Sequence, residues 1–348
     1  MIMERLPWER WLRSAVESSR SKVLQERRDC RVQQNLRVKA VDTKSTLIVC
    51  TKDRPVELFS CLASVLVSTN VPNEVIVVDS SSGHDTELLC AQLCTGSLTH
   101  IHYYRSAPGL THQRNFGLSM VDACSEIVHF LDDDTIVDRQ YFTEIETAFL
   151  DTEDAVAVGG RVVDMYRPGI VTRIWERARE GSVSSGGINY VCRTVSPQPR
   201  TVDWLSGCSM SFRSSVFERF RFDERRLGNG VGEDVDFCLR AGSLGRIIWV
   251  ASAELQHRQS PINRYVRRRQ GSAIVDHRFL LAKDNLHGIS IRRVKVVGIG
   301  EAIVRMIRSI LIFSPDQWQY SLGMLDSLLG GRDPRSDCPP GNIKVEGE

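Results

Sequence analysis

EIVHFLDDDT, residues 126–135, decides how the rest of the chain is read. Its first half is an apolar run with the β-branched and aromatic character of a buried strand. It stops on three consecutive carboxylates, Asp132, Asp133 and Asp134. Crowded carboxylates repel one another, so a cation must compensate them or they lie in a solvated loop. Just past a strand, residues i and i+2 face one way and the middle residue the other. Asp132 and Asp134 then form a pair of oxygen ligands for a hard divalent ion, Mg2+ or Mn2+. Such an ion keeps few protein ligands and binds substrate phosphates as well, which suits a nucleotide diphosphate.

Upstream, STLIVC (45–50), EVIVVD (74–79) and LTHIHYYRS (98–106) read as three further strands. Between them lie segments of helical period, such as VELFSCLASVLVS (56–68), with Leu58, Leu62, Val65 and Leu66 on one face. Another helix follows Pro108 and Gly109. Downstream, YFTEIETAFLD (141–151) is a helix and AVAVGGRVV (155–163) a fifth strand. Alternating strand and helix from 45 to about 165 predicts an α/β fold on a largely parallel, Rossmann-like sheet with helices on both faces. Ligands of such sheets bind beyond the carboxyl ends of the strands. Asp53, Asp79 and the acidic triplet each follow a strand and are expected to converge on one edge.

The second half is less regular. RAREGSVSSGGINY (177–190) reads as a mobile Gly/Ser loop, and WLSGCSMSFRSSVFERF (204–220) as a compact turn followed by a helix. GEDVDFCLR (232–240) places Glu233 and Asp234 at a helix start behind glycines. Backbone N–H groups and the helix dipole stabilise a carboxylate there, either as a cap or as a positioned general base. RIIWV (246–250) is a strand, and His257 follows it as a candidate metal ligand.

The composition is that of a globular protein, with 42% apolar and 25% charged residues. A net charge of +2 offers no global field for nucleic acid, although basic residues cluster in 13–37 and 258–269. Ten cysteines are scattered without a repeated CxxC pair, which argues against a zinc module. No signal peptide is visible, so the expectation is reduced thiols and a cytoplasmic location. No apolar run reaches membrane-spanning length; the nearest, 294–313, is interrupted by Lys295, Glu301, Arg305 and Arg308. The expected layout is an N-terminal helical arm (1–42), a domain over 43–285 divided near 165 into a nucleotide half and an acceptor half, and C-terminal amphipathic helices with a frayed tail (286–348).

TKDRP (51–55), VIVVDSSS (75–82), GLTHQRNFGL (109–118), FLDDDT (130–135), GCSMSFRSSVFERF (207–220) and GEDVDFCLR occur in one order over about 45 to 260. In that order they resemble the GT-A family 2 glycosyltransferases. The resemblance implies inverting transfer of a sugar from a nucleotide-diphosphate sugar to an acceptor hydroxyl, assisted by Mn2+ or Mg2+. It implies that Asp53, Arg54, Asp79, Arg114, Asn115 and Asp132 contact the donor. Asp132 and Asp134 would be the metal pair, with His257 completing the site. Gly207, Cys208 and Glu233 would face the acceptor, and Asp234 would be the catalytic base. Three serines follow Asp79 and Asp53 replaces an asparagine, which leaves UDP, GDP and dTDP open as the nucleotide. The Gln-x-x-Arg-Trp motif of processive members is absent, so a single addition is expected. The C-terminal helices are expected to pack on the domain; the second reading is a lipid-linked acceptor with peripheral membrane contact by those helices.

Two rival enzymes fit less well. A haloacid-dehalogenase phosphotransferase would carry its DxD on the first strand and a Thr or Val where Ile136 stands. A nucleotidyltransferase would need a glycine-rich phosphate loop at the first strand, and STLIVCTKDRPVE is not one. A non-catalytic sugar-nucleotide binding protein would not need Asp132, Asp134 and Asp234 together.

Overall fold

Strands β1 (Ser45–Thr51), β2 (Glu74–Asp79), β3 (His100–Arg105) and β4 (Ile127–Asp132) form where the apolar runs lie. In the computed structural model they pair in parallel, in the order β3-β2-β1-β4. The structure describes residues 43–94, 99–164, 176–226, 230–260, 262 and 266–330. The expected N-terminal arm (1–42) and the tail beyond 330 lie outside the described residues.

Three helices make the crossovers: α1 (Pro55–Leu66), α2 (Asp85–Cys94) and α3 (Leu110–Ser119). Alternation along β1 splits the core between the sheet's faces. Leu47 and Val49 join Leu58, Leu62 and Val65 of α1 on one side, with Phe142 and Phe149 of α4 (Tyr141–Asp151). Ile48 points the other way, with Val78, Phe130, Phe212 and Phe237. Both faces are therefore covered over β1, β2 and β4, which is why those strands read as continuous apolar runs.

Beyond this first half the sheet is mixed. β8 (Met210–Arg213) wedges between β4 and β6 (Ala155–Val162) and is antiparallel to both. β9 (Arg246–His257) then runs parallel to β6 and carries β5 (Thr135–Val137) and β7 (Arg200–Thr201) as antiparallel neighbours. A four-residue strand such as MSFR is too short to show a period, so the expected turn and helix at 204–220 conceal β8 and a 3-10 turn (Ser214–Glu218).

The run 177–190 is stitched down instead of loose. Val183 and Asn189 form a bridge, Gly181 N–H donates to Tyr190 O at 2.7 Å, and Val183 N–H donates to Asp203 Oδ2 at 2.8 Å. Its Gly/Ser composition provides tight turns, and reads from sequence like flexibility.

Helices α5 (Glu233–Ala241), α6 (Arg267–Lys283), α7 (Ile291–Leu311) and α8 (Pro315–Gly330) complete the described chain. α6 and α8 touch backbone to backbone: a Cβ on Gly271 would lie 2.0 Å from Tyr320 O, and one on Gly323 1.8 Å from Arg268 O. Val275, Ala302, Met324 and Leu328 fill the space among α6, α7 and α8. The basic start of α6 is absorbed by α8, through Arg267–Asp316 at 3.2 Å and Arg268–Asp326 at 2.7 Å.

Candidate active site

β4 ends on Asp132 and β5 begins on Thr135, so the acidic triplet is a turn between two distant positions in the sheet. The three carboxylates have three different environments. Asp133 is buried and accepts from Thr51 Oγ1 at 2.7 Å and Arg54 NH1 at 2.9 Å. Burial still pushes its pKa up to about 7, against the pull of Arg54. Asp134 is also buried; its Oδ2 accepts from Ser260 N–H at 2.8 Å, and its Oδ1 lies 3.0 Å from His257 Nε2. Burial opposes its charge, but His257, the Ser260 N–H and Arg54 outweigh that and lower its pKa. Asp132 alone remains open, with its side chain 31% exposed.

His257 reaches the triplet because β5 pairs with β9 in a register that sets Thr135 against His257. Its Nε2 lies 3.7 Å from Asp132 Oδ2. Burial disfavours the imidazolium, but Asp134, Cys208 and Asp132 together raise its pKa to about 11. Ligand atoms of Asp132, Cys208 and His257 all lie within 4.8 Å of one another. A carboxylate, an imidazole and a thiol gathered at the open end of the sheet fit a divalent ion with room left for substrate oxygens. Asp134 Oδ1 approaches the same ring nitrogen that faces Asp132, so both carboxylates of the outer pair converge on His257 Nε2.

A separate cluster adjoins it. Gly232 caps α5 in the left-handed region (φ 76°), and a Cβ there would fall 2.1 Å from His277 Nδ1. Only glycine allows this entry, and it fixes the two carboxylates that follow. Asp234 Oδ2 accepts from Gly207 N–H at 2.9 Å and Oδ1 from Val235 N–H at 2.8 Å. Burial raises its pKa, and those two N–H bonds moderate the rise. Glu233 is buried and accepts from Arg114 NH1 at 2.7 Å. Burial and the Asp234 charge lift its pKa to about 8 in spite of Arg114. Arg114, fully enclosed, also donates to Gly207 O at 3.0 Å, lies 3.4 Å from Asp132 Oδ1, and stacks over Phe130 and Phe222. One guanidinium thus ties the acidic turn, the 207 loop and α5 together.

The remaining sequence candidates divide. Asp53 has φ 55°, and its N–H donates to Ser81 Oγ at 2.7 Å, so it closes the edge where β1 and β2 end. Arg54 is committed to Asp133 and to the Ile262 carbonyl. Asp79 reaches the expected edge but is completely buried, bonding Ser81 and Tyr103 Oη at 3.0 Å; it shapes the loop from beneath. Asn115 is drawn elsewhere. Its amide donates to Phe222 O at 2.9 Å and Glu224 Oε1 at 2.8 Å and accepts from Phe222 N–H at 2.8 Å, because one helix step turns it about 100° from Arg114. Gln113 was not singled out by sequence, yet it is buried and clamps the ends of β1 and β2 by donating to Thr51 O at 3.0 Å and Val78 O at 2.9 Å. Ser260 was missed as well. Neither has a motif signal; only the strand pairing brings them in.

With this arrangement in view, comparison with known proteins is informative. The family model described as Glycosyl transferase family 2 matches residues 46–219. The chain belongs to glycosyl transferase family 2. Its fold is the GT-A fold. Among solved structures it resembles GalNAc-T7 with UDP, GalNAc and Mn2+ at 14% identity and TM-score 0.50, over 64% of this chain and 47% of that one. It also resembles S. aureus TarS at 16% identity and TM-score 0.50, over 74% of this chain and 42% of that one. The S. aureus TarS 1–349 structure aligns at 15% identity and TM-score 0.51, over 82% and 81%. This chain thus spans less than half of the GalNAc-T7 and longer TarS chains, and the likeness at these identities concerns the fold. No curated protein sequence matches the chain. Asp234 and His257 lie beyond the matched span, so their place in the site stands on geometry. Among the described residues the eight cysteines are all free, and no helix is long and apolar enough to cross a membrane.

Proposed function

We propose that the chain transfers one sugar from a nucleoside-diphosphate sugar to an acceptor hydroxyl with inversion. The observation that carries this is the juxtaposition of two unlike acidic centres bridged by Arg114. One is open and beside His257; the other is a half-buried base at a helix start. Asp132 and His257 would hold the divalent ion, which when bound offsets the charge of the departing diphosphate. That GalNAc-T7 was seen with UDP and Mn2+ favours Mn2+ and a UDP-sugar. Asp234 takes the acceptor proton. Burial raises its pKa above the ordinary carboxylate value, which strengthens it as a base, and a positioned base contributes roughly 10²–10⁴-fold. Gly207 N–H fixes its Oδ2, leaving a lone pair for the hydroxyl. Arg114 holds Glu233 and the 207 carbonyl, so the acceptor side cannot drift from the donor side. The test is release of nucleoside diphosphate from a panel of UDP-, GDP- and dTDP-sugars with Mn2+ or Mg2+. One donor should be cleaved only with metal and not by Asp132→Ala. Absence of turnover together with absence of metal-dependent donor binding would leave a non-catalytic binding protein.

A lipid-linked acceptor is favoured by α7. Val296, Ile303, Val304, Ile307, Ile310 and Leu311 form an exposed stripe that ends in Phe313, which is 91% exposed. Arg292 and Arg293 lie at its start, with Lys295 and Arg308 along its margins, all exposed. An apolar face edged by cations suits a helix lying in an anionic membrane surface. Flotation with vesicles containing anionic lipid should carry the protein upward, and Ile303→Glu with Ile307→Glu should leave it at the bottom. Equal behaviour of both forms would refute membrane contact.

A further inference from the structure

We infer that Cys208 is a soft ligand of the divalent ion, so that the site is a mixed oxygen, nitrogen and sulfur centre selecting against Mg2+. The inference rests on the metal-assisted reading above and names a residue which that reading does not use.

The placement is specific. Of the eight free cysteines described, Cys208 is the one whose thiol joins a carboxylate and an imidazole within 4.8 Å. Two donors on one ion, each about 2.0–2.3 Å from it, are at most about 4.6 Å apart. Closure over an ion therefore needs only small side-chain shifts. The backbone carrying the thiol is held on both sides of Gly207, by Asp234 at its N–H and by Arg114 at its carbonyl. The turn is closed by Ser209 N–H on Ser206 O at 2.8 Å, and Ser206 Oγ lies 3.3 Å from the sulfur. The thiol is thus preset, and the pairing of Thr135 with His257 presets the imidazole. Three protein donors with remaining positions open is the pattern of a catalytic centre, not a closed structural one.

Donor softness then decides the metal. Oxygen-only sites suit Mg2+ and Mn2+, whereas thiolate and imidazole favour Zn2+ and Co2+. On binding, the thiol loses its proton to solvent and the sulfur–metal bond replaces the S–H bond; no oxidation state changes. The site should take Co2+ and Zn2+ ahead of Mn2+, and Mg2+ last. Cys208→Ser should move that order back toward the hard ions.

Co2+ alone, titrated into the full chain, tests this without turnover. The expected spectrum has visible d–d bands together with a near-ultraviolet sulfur-to-cobalt charge-transfer band. In Cys208→Ser the charge-transfer band should vanish while the d–d bands remain, with affinity weaker by about tenfold or more. Asp132→Ala should lose both. Circular dichroism of each variant confirms folding. Co2+ binding that depends on Asp132 but shows no charge-transfer band, or one unchanged in Cys208→Ser, overturns the sulfur ligand and leaves the metal site standing. No Co2+ binding by the unmodified chain overturns the metal site as well.

Discussion

Replacing Arg114 with Met probes the connection between the two acidic centres. The side chain is similar in length, so the main loss is the guanidinium. Its bond to the buried Gly207 carbonyl at 3.0 Å would go, leaving an unsatisfied acceptor at a cost of about 1–3 kcal/mol. Its stacking on Phe130 and Phe222, at 5.7 and 5.3 Å, contributes roughly 0.5–2 kcal/mol more. The Glu233 pair at 2.7 Å behaves differently, because burial raises that carboxyl to about 8. At pH 6 Glu233 is protonated with or without Arg114; without Arg114 its pKa rises further, so at pH 9 the variant keeps the carboxyl protonated at a cost of about 1.4 kcal/mol for each pH unit above 8. The destabilisation should be about 1.5–5 kcal/mol at pH 6 and roughly 1 kcal/mol greater at pH 9. Adding Glu233→Met should recover most of the difference at pH 9 and little at pH 6. Urea unfolding of the two single variants and the double variant at both pH values measures this. A cost below about 1 kcal/mol, or one equal at the two pH values, would refute the role given to Arg114.

Asp234→Asn should keep its bond from Gly207, give up the one from Val235 N–H with a small loss of stability, and reduce turnover about 10²–10⁴-fold with donor binding unchanged; equal turnover would remove Asp234 as the base. Gly232→Ala places a Cβ 2.1 Å from the His277 ring at φ 76°, so it should lower the melting temperature and turnover together, whereas a fully stable, active variant would show that α5 is not entered as described. Glu233 ionises at about 8 when folded, above its ordinary 4.5. Its stabilising share is therefore complete below pH 4.5 and lost as pH rises through 8. Glu233→Gln should flatten the fall in unfolding free energy over that range, and a parallel pH profile would contradict the raised value.

The parallel half of the sheet was legible because β1, β2 and β4 are buried on both faces and their runs end on chemistry-bearing residues. Asp53, Asp79 and Asp132 do share one sheet edge, as the α/β pattern required. The antiparallel β8 and the three-residue β5 were not legible, since so few residues show no period. Those two short strands determine the site. β5 brings His257 to the triplet, and the turn before β8 carries Gly207 and Cys208. The same gap explains the individual departures. Alternation along a strand paired Asp132 with Asp134; the triplet is a turn, in which Asp134 Oδ2 takes the Ser260 N–H while its Oδ1 faces His257 beside Asp132. Asn115 follows Arg114 in sequence yet serves the 222–224 segment, because successive helical residues face different neighbours.

The central claim is a metal-dependent nucleotide site built on Asp132 and distinct from the base Asp234. Calorimetric titration of UDP, GDP and dTDP, with and without Mn2+, into the unmodified chain, Asp132→Ala and Asp234→Asn tests it most directly. One diphosphate should bind only with Mn2+, lose binding in Asp132→Ala, and retain it in Asp234→Asn. Binding that ignores Mn2+, or that survives Asp132→Ala unchanged, would contradict the account.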